Sequence, residues 1–451
     1  MSGPDSRGGT TQWSSGYGFL VATLGAAVGL GNIWRFSYVA GENGGGAFVL
    51  VYVVAVLALG WPLLIAELAI GRTTRADAVS AFGRISAARP WRWLGWIGVL
   101  ACVGILSYYP VVAGWVANYL WQYLHGAAAL PEPAGYAAHF QSVISDPVQA
   151  LFFFSLVMIA TIAIVAAGVE RGIERTCTLL MPVFVLLLVS LSGYGLSLDG
   201  AGRAMSFMFM PDWDALRRPT TYLAAIGQAF FSIGLGMGVL ITYGAYVPAR
   251  EKLPRAALFL VLGDTLIALL AGLMIFPAVF TYGVDPAQGP TLAFAALPEV
   301  FRLMPGGRWF AIAFFLLLII AALTSSVALL EVPVAWAMAR WRWRRARVAV
   351  AIGGLALACG ASVALGYGML APAHSSGVPL LDRIDHVASN VLLPLSGISI
   401  ALLVGWAWRE MAARSAADLA ETIAGAMWYW SMRLVLPAVI GLVMSRGLGW
   451  I

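Results

Sequence analysis

Charge is scarce in this chain. Asp, Glu, Lys and Arg make up 11% of its 451 residues, against roughly 25% in an ordinary soluble domain. A water-soluble fold of this length needs far more ionisable side chains to cover its surface, so the bilayer is read as its solvent. Cysteine is rarer still. Cys102, Cys177 and Cys359 lie in or beside apolar runs, and no disulfide framework is expected. The four histidines (His125, His139, His374, His386) fall in loops or at span ends and form no His-Glu-x-x-His or closely spaced His/Asp set, which argues against a membrane-embedded metalloenzyme. No Asn begins an Asn-x-Ser/Thr sequon, and no cleavable signal peptide is visible before the first apolar run. Ten-residue alternating segments are missing too, which excludes a transmembrane β-barrel and leaves helices to satisfy the backbone in hydrocarbon.

What is there is 61% apolar. It forms eleven runs long enough, at about 20 residues each, to span a bilayer: 17–39, 47–70, 94–124, 149–168, 175–195, 221–245, 255–281, 308–339, 347–369, 387–408 and 427–447. The expected fold is all-α and polytopic. With the N-terminus inside, the cytoplasmic segments hold 18 of the 27 basic residues, Arg7, Arg72 to Arg92 and Arg340 to Arg347 among them. That asymmetry places the N-terminus in the cytoplasm and, the count being odd, the C-terminus outside. It also accounts for the net charge of +6, so neither nucleic acid nor an obligatory protein partner is implied. Trp91, Trp93, Trp96, Trp336, Trp341, Trp343, Trp428 and Trp430 read as interface belts.

Two spans are unlike the rest. The first contains Gly25-Ala26-Ala27-Val28-Gly29-Leu30-Gly31-Asn32 and the sixth Ser232-Ile233-Gly234-Leu235-Gly236-Met237-Gly238. Each cluster lies mid-span, and each opens a set of five spans, 1–5 and 6–10. Interrupted segments at matching positions of two halves point to an inverted-repeat transporter with its site at the midplane. Unwinding frees amides that attract a carboxylate and carbonyls that ligate a cation. Small residues that merely let helices pack closely are the simpler reading of one such cluster; two in symmetric positions favour the transporter.

Ionisable groups inside spans add to this pattern. Arg35, at the outer end of the first span, has Asp385 at the start of the tenth as a possible partner in an extracellular gate. Asp264 sits in the apolar run of the seventh, where a lone carboxylate must be protonated or face a cation. Glu67 and Glu331 are read as bonding unwound backbone or closing a packing network, and Thr324-Ser325-Ser326 as bonding back one turn or ligating.

At these residues the chain resembles the neurotransmitter:sodium symporter family, in its bacterial amino-acid branch. The first span carries Gly29-Leu30-Gly31-Asn32-Ile33-Trp34-Arg35-Phe36, followed by Glu42-Asn43-Gly44-Gly45-Gly46-Ala47-Phe48. The sixth adds Gly227-Gln228-Ala229-Phe230-Phe231-Ser232, the eighth Leu323-Thr324-Ser325-Ser326 and the tenth Leu381-Asp382-Arg383-Ile384-Asp385. The resemblance implies the leucine-transporter-like fold: a tail over 1–16, repeats over 17–195 and 221–408, and an extra helix over 427–447. It implies two sodium ions. One would be held by the Ala27 carbonyl, Asn32, Ser232 and Asp264, the other by carbonyls of Gly25, Val28 and Ala321 and hydroxyls of Thr324 and Ser325; oxygen-only shells suit a hard cation. The substrate carboxylate would meet the Leu30 and Gly31 amides and the Tyr109 hydroxyl, and its ammonium the carbonyls of Ala27, Phe231 and Ser232. Ile105, Tyr109, Phe231, Ile233, Gly234, Met237, Ser325 and Leu329 complete the substrate-binding set, with Arg35, Phe231 and Asp385 as gate.

Departures from the family are informative. Chloride-dependent members carry a serine where this chain has Ala268, and Asp264 stands where many have Asn, so chloride is not expected. The inner gate's usual Arg and Asp are absent around Trp13 and Ala339, which leaves Arg7, Tyr246 or nothing equivalent. Sodium-driven import of neutral, large aliphatic or aromatic amino acids across a bacterial inner membrane is the expected activity. A proton-coupled or uncoupled transporter using Asp264, or a non-transporting sensor, is the alternative.

Overall fold

In a computed structural model, residues 12–126, 135–287, 289–370 and 378–450 are described; Arg7, His374 and most of the tail lie outside them. Among the described residues, nine continuous helices are long and apolar enough to cross a membrane: Gly46–Thr74, Arg89–Leu124, Pro147–Ala167, Val169–Leu196, Leu253–Thr281, Gly307–Trp341, Arg345–Tyr367, Leu380–Ala407 and Ile423–Gly447. A tenth crossing is the pair Gly16–Ala27 and Gly31–Glu42, bent by 55°. The eleventh is Pro219–Ile233 followed by Val239–Ala245. In chain order these are spans 1 to 11, and the two broken ones, spans 1 and 6, each open a group of five. The architecture is therefore five plus five plus one, and among the described residues all helical apart from a single bridge between Gly45 and Pro211.

Local chemistry sets the ends. Span 1 starts where the Ser15 hydroxyl accepts the Gly18 amide, and span 4 where Asp146 accepts the amides of Val148 and Gln149 with Pro147 in the first turn. Those amides, Gln149's foremost, hold the Asp146 carboxyl below its ordinary pKa. Burial sorts the spans into layers. In the most apolar stretches of spans 3 and 8, 78% and 72% of residues are buried, against 28% in span 11. Spans 3 and 8 are thus inner pillars beside the broken helices, while span 11 faces lipid.

Three expectations need correction. Span 10 begins at Leu380, earlier than position 387, because Asp382, Arg383, Asp385 and His386 dilute the apolar signal of an amphipathic start. Span 11 likewise begins at Ile423. Trp428 is no belt residue: it is 3% exposed and its indole N–H donates to the Pro62 carbonyl at 2.9 Å. Short helices such as Ala78–Ile85 and Gly135–Ser145 are too short for an apolar-run count to reveal. Cys102, Cys177 and Cys359 are all free thiols.

Candidate functional site

The site begins with two interruptions. In span 1 the α-helix stops at Ala27, Val28 turns extended (φ −73°, ψ 110°), and helical turns resume at Gly31. The exposed polar groups are taken up by neighbours: the Ser325 hydroxyl donates to the Val28 carbonyl (3.1 Å), the Gln228 amide to the Gly31 carbonyl (2.9 Å), and the Leu30 amide to the Tyr109 hydroxyl (3.1 Å). In span 6, Gly234, Gly236 and Gly238 have φ of +70°, +79° and +72°, a left-handed backbone that side-chain-bearing residues adopt only at a cost. Here Glu67 accepts the Gly236 amide at 2.8 Å and the Cys102 thiol donates to the Met237 carbonyl at 2.9 Å. An unwound backbone at membrane depth survives because protein groups satisfy it.

Where the two breaks meet, a carboxylate is fully enclosed. Asp264, on span 7, is 0% exposed. Its Oδ1 accepts the Asn32 side-chain amide at 2.6 Å, and its Oδ2 accepts the Ser232 hydroxyl at 2.7 Å and the Tyr52 hydroxyl at 3.4 Å. The Asn32 side-chain amide also donates to Ser232 (2.8 Å), and the Asn32 Oδ1 accepts the Gly29 backbone amide (3.1 Å). Spans 1, 2, 6 and 7 thus converge on one negative charge ringed by hydroxyl and amide groups. Between spans 1 and 8 the Ser325 hydroxyl lies 3.1 Å from the Val28 carbonyl and 3.4 Å from that of Ala26, while the Thr324 hydroxyl bonds back within span 8 to the carbonyls of Ala321 (3.1 Å) and Ile320 (3.2 Å).

Between Asn32 and Ser232 on one side and Ser325 on the other is a cavity of about 40 Å³. Gly31, Asn32, Ile105, Tyr109, Phe231, Ser232, Gly234, Met237, Ser325 and Leu329 line it, with Ala26, Ala27, Gly29, Val239 and Ala328. No acid or base of the Asp, Glu, Lys, Arg or His kind is among them. Gly29 is tight: a Cβ there would lie 2.8 Å from the Tyr109 hydroxyl oxygen and 2.9 Å from the Ser325 Oγ.

The sequence model of the sodium:neurotransmitter symporter family matches residues 10–131 and 135–448. The chain belongs to that family. It is 38% identical over 446 residues to an uncharacterised sodium-dependent transporter of Bacillus subtilis, spanning 97% of this chain and 98% of the relative. An uncharacterised sodium-dependent transporter of Haemophilus influenzae is 33% identical over 439 residues, 95% of this chain and 96% of the relative. The crystal structure of MhsT in complex with L-phenylalanine superposes with a TM-score of 0.90 at 45% identity, covering 97% of this chain and all of that one. The symporter is therefore a multi-pass membrane transporter of the sodium-dependent kind, with the leucine-transporter-like fold, in a family of transporters and not of enzymes.

The symporter's expected site residues fall into groups. Ala27, Gly31, Ile105, Tyr109, Phe231, Ser232, Gly234, Met237, Ser325 and Leu329 all border the one cavity, and Leu30 reaches it through its amide on Tyr109. Ile233 does not. It is buried toward span 2, where its Cδ1 would lie 2.7 Å from a Cβ at Gly60, because it is still part of the helix Pro219–Ile233 and so faces about 100° round from Ser232. Asn32, Ser232 and Asp264 are in mutual contact; of the second expected set Ser325 meets Val28, Thr324 bonds back to Ala321 within span 8, and Gly25 lies three residues before Val28 in the last turn of the first half of span 1. Ala26, Gly29, Val239 and Ala328 were not singled out; small or aliphatic residues carry no chemical signal.

The gate differs from expectation. Among the described residues Arg35 and Asp385 make no ion pair. The Arg35 guanidinium lies 4.3 Å from the Phe231 ring centroid and donates to Gln228 at 3.3 Å, while Asp385 accepts the hydroxyls of Tyr108 (2.5 Å) and Ser389 (2.8 Å). Each charge is satisfied by nearer partners. At the opposite, arginine-rich end, Tyr246 donates to Glu331 at 2.8 Å, and Glu331 is paired with Arg345. There, too, a contact that sequence reasoning missed holds the start of span 1: Glu174, at the head of span 5, accepts the Ser14 amide (2.8 Å) and hydroxyl (2.5 Å). Beside it the Trp13 indole donates to the Tyr243 carbonyl at 3.1 Å.

Proposed function

We propose that this symporter imports neutral amino acids with large aliphatic or aromatic side chains, driven by two sodium ions and independent of chloride, across a bacterial inner membrane with its N-terminus in the cytoplasm. The reading rests above all on one observation: a cavity between two helix breaks, lined by backbone polar groups, hydroxyls and apolar side chains but no charged residue, with a buried carboxylate beside it. Backbone amides near Leu30 and Gly31 together with Tyr109 suit a substrate carboxylate. The lack of a charged lining residue disfavours charged side chains, and the relative solved with phenylalanine bound is consistent with an aromatic one. At about 40 Å³ the cavity must widen for such a ligand; Met237, flexible and within 3.5 Å of a Cβ built at Gly234, is the side chain best able to yield.

In the proposed cycle, residues 17–195 and 221–408 act as the two inverted repeats. Sodium and substrate enter from outside, the Phe231–Arg35 layer closes above them, and the inner half of span 1 then releases from Glu174 and Tyr243. Asp264 supplies, as a fixed charge, the negative partner that chloride provides elsewhere. Each Na+ crossing ~100 mV contributes about 2.3 kcal/mol, and a tenfold gradient adds about 1.4 kcal/mol. Two ions give on the order of 7 kcal/mol, enough for roughly 10⁵-fold accumulation of a zwitterion. Uptake of labelled phenylalanine into proteoliposomes, competed by all twenty amino acids, tests the pocket: competition only by glycine, glutamate or a non-amino acid overturns it. Unchanged uptake when choline replaces sodium favours a proton-coupled cycle through Asp264, and binding without flux favours a sensor.

A further inference from the structure

The site above leaves unused a strongly basic corner at the arginine-rich end. Between Asp77 and Glu132 the sequence contains no carboxylate, yet it carries Arg84, Arg89 and Arg92. These three arginines, with Ser80 and Ser86, line a cavity of about 380 Å³ at the junction of the short helix Ala78–Ile85 and span 3. Arg84 spends one guanidinium N–H on the Thr74 carbonyl at 2.5 Å. Arg89 and Arg92 are exposed, and among the described residues no carboxylate lies within ion-pair distance of either. The carboxylate at the head of the short helix, Asp77, is engaged by the amides of Val79 and Ser80, both at 3.0 Å. Span 3 begins at this cavity: its cap, Ala88, has no polar side chain, Pro90 carries no N–H and the Trp91 amide bonds the Ala88 carbonyl at 3.2 Å, so the Arg89 amide and the positive end of a 36-residue helix add to the arginines.

Below the arginines, the same face of span 3 changes character in the order a phospholipid does. Arg89, Trp93, Trp96, Leu100 and Val103 follow one another at helical spacing on one face. Trp93 is 72% exposed, Leu100 52% and Val103 41%. Trp96 packs on Trp336 with ring centroids 4.5 Å apart, and Trp336, Trp341 and Trp343 continue the aromatic row. Tryptophans collect at headgroup level, so the cavity stands where lipid phosphates lie, and the exposed aliphatic stripe stands where acyl chains begin.

We propose that this cavity binds the phosphate of an anionic phospholipid, whose chains run down the Trp93–Leu100–Val103 face. Arg89 and Arg92 meet the phosphate oxygens, Ser86 and the Arg89 amide at the head of span 3 complete the anion shell, and Arg84 sits at the back. Arg84 and Ser80 also border the neighbouring cavity that holds Arg75, Tyr246 and Arg345, so an occupied headgroup site lies one side chain from the Glu331 network. A soluble phosphate would use the arginines alone; the apolar stripe is what selects a lipid.

The test uses the purified full-length protein in detergent and radiolabelled dioctanoyl-phosphatidylglycerol. Saturable binding is expected, with dioctanoyl-phosphatidylcholine and inorganic phosphate as poor competitors. Each interfacial arginine contributes about fivefold to attraction for anionic lipid, so R89Q/R92Q lowers affinity by roughly 25-fold. Ala88→Glu, which sets a carboxylate in the cavity without touching the arginines, also abolishes binding, and both variants elute as the wild type does on size exclusion. R340Q/R342Q, which removes the same charge at the same end of the molecule outside the cavity, leaves binding unchanged. Equal loss in that control, undiminished binding by R89Q/R92Q, or equal competition by phosphatidylcholine overturns the proposal; competition by inorganic phosphate at matching concentration shows a free-anion site and overturns it as well.

Discussion

Replacing Asp264 by Asn tests the electrostatic centre of the proposed cycle. The substitution keeps shape and removes one charge. The carboxamide oxygen introduced by Asp264→Asn still accepts the Asn32 amide, which the wild-type Oδ1 accepts at 2.6 Å. The new amide nitrogen faces the Ser232 and Tyr52 hydroxyls, 2.7 and 3.4 Å from Oδ2 in the wild type; the Ser232 Oγ already accepts from Asn32 and Tyr52, so the Tyr52 hydroxyl turns to free a lone pair. Folding is therefore expected to survive. A sodium ion ligated by the Ser232 oxygen at about 2.4 Å, the usual reach of a hard cation to oxygen, lies no farther than about 5 Å from that carboxylate oxygen. At an effective dielectric of about 20 their attraction is about 3 kcal/mol, equivalent to roughly 150-fold in affinity. The assay is the initial rate of phenylalanine uptake into proteoliposomes against external sodium, with choline holding ionic strength constant. Half-saturating sodium should rise by about two orders of magnitude at unaltered size-exclusion profile and thermal midpoint. A rise of less than about threefold, equivalent to about 0.7 kcal/mol, refutes the idea that this carboxylate faces the transported cation.

Three further outcomes follow from the same geometry. Wild-type uptake should proceed at the same initial rate in sodium chloride and sodium gluconate, and a slower rate in gluconate at fixed sodium contradicts the role of Asp264 as internal anion. Tyr109→Phe removes a hydroxyl 3.1 Å from the Leu30 amide; a hydrogen bond to a charged group is worth about 1.5–3 kcal/mol, so the KM for substrate should rise at least tenfold while sodium dependence changes little. Gly236→Ala places a Cβ 2.7 Å from the Leu393 carbonyl oxygen on a backbone at φ +79°. Left-handed geometry alone costs a non-glycine residue about 1–2 kcal/mol, so thermal stability and uptake should both fall, whereas Gly227→Ala, with open space around its Cβ, should leave both intact.

Much of this molecule was legible before any coordinates. Apolar length and scarce charge dictate spans, because hydrocarbon tolerates neither bare backbone nor unpaired charge, and glycine clusters at matching places in two halves mark where helices 1 and 6 unwind. Asp264 stood out for the same reason: a carboxylate in the run Leu258 to Gly263 needs a partner. The contacts of Arg35 were not legible. Sequence placed it and Asp385 at neighbouring span ends, but whether a guanidinium meets a carboxylate or an aromatic face depends on rotamers and on competing hydroxyls such as those of Tyr108 and Ser389.

The sequence by itself determined the number of crossings, the two breaks and the residue types able to meet a cation and a zwitterion, since these follow from composition and local periodicity along one chain. Tertiary structure alone decided which groups meet. It turned Ile233 from the cavity toward Gly60, tied Glu67 to Gly236 across 169 positions, and brought Ser14 onto Glu174. Such pairings arise from how eleven helices pack, and packing is set by the whole set of side-chain shapes together, which no local pattern contains.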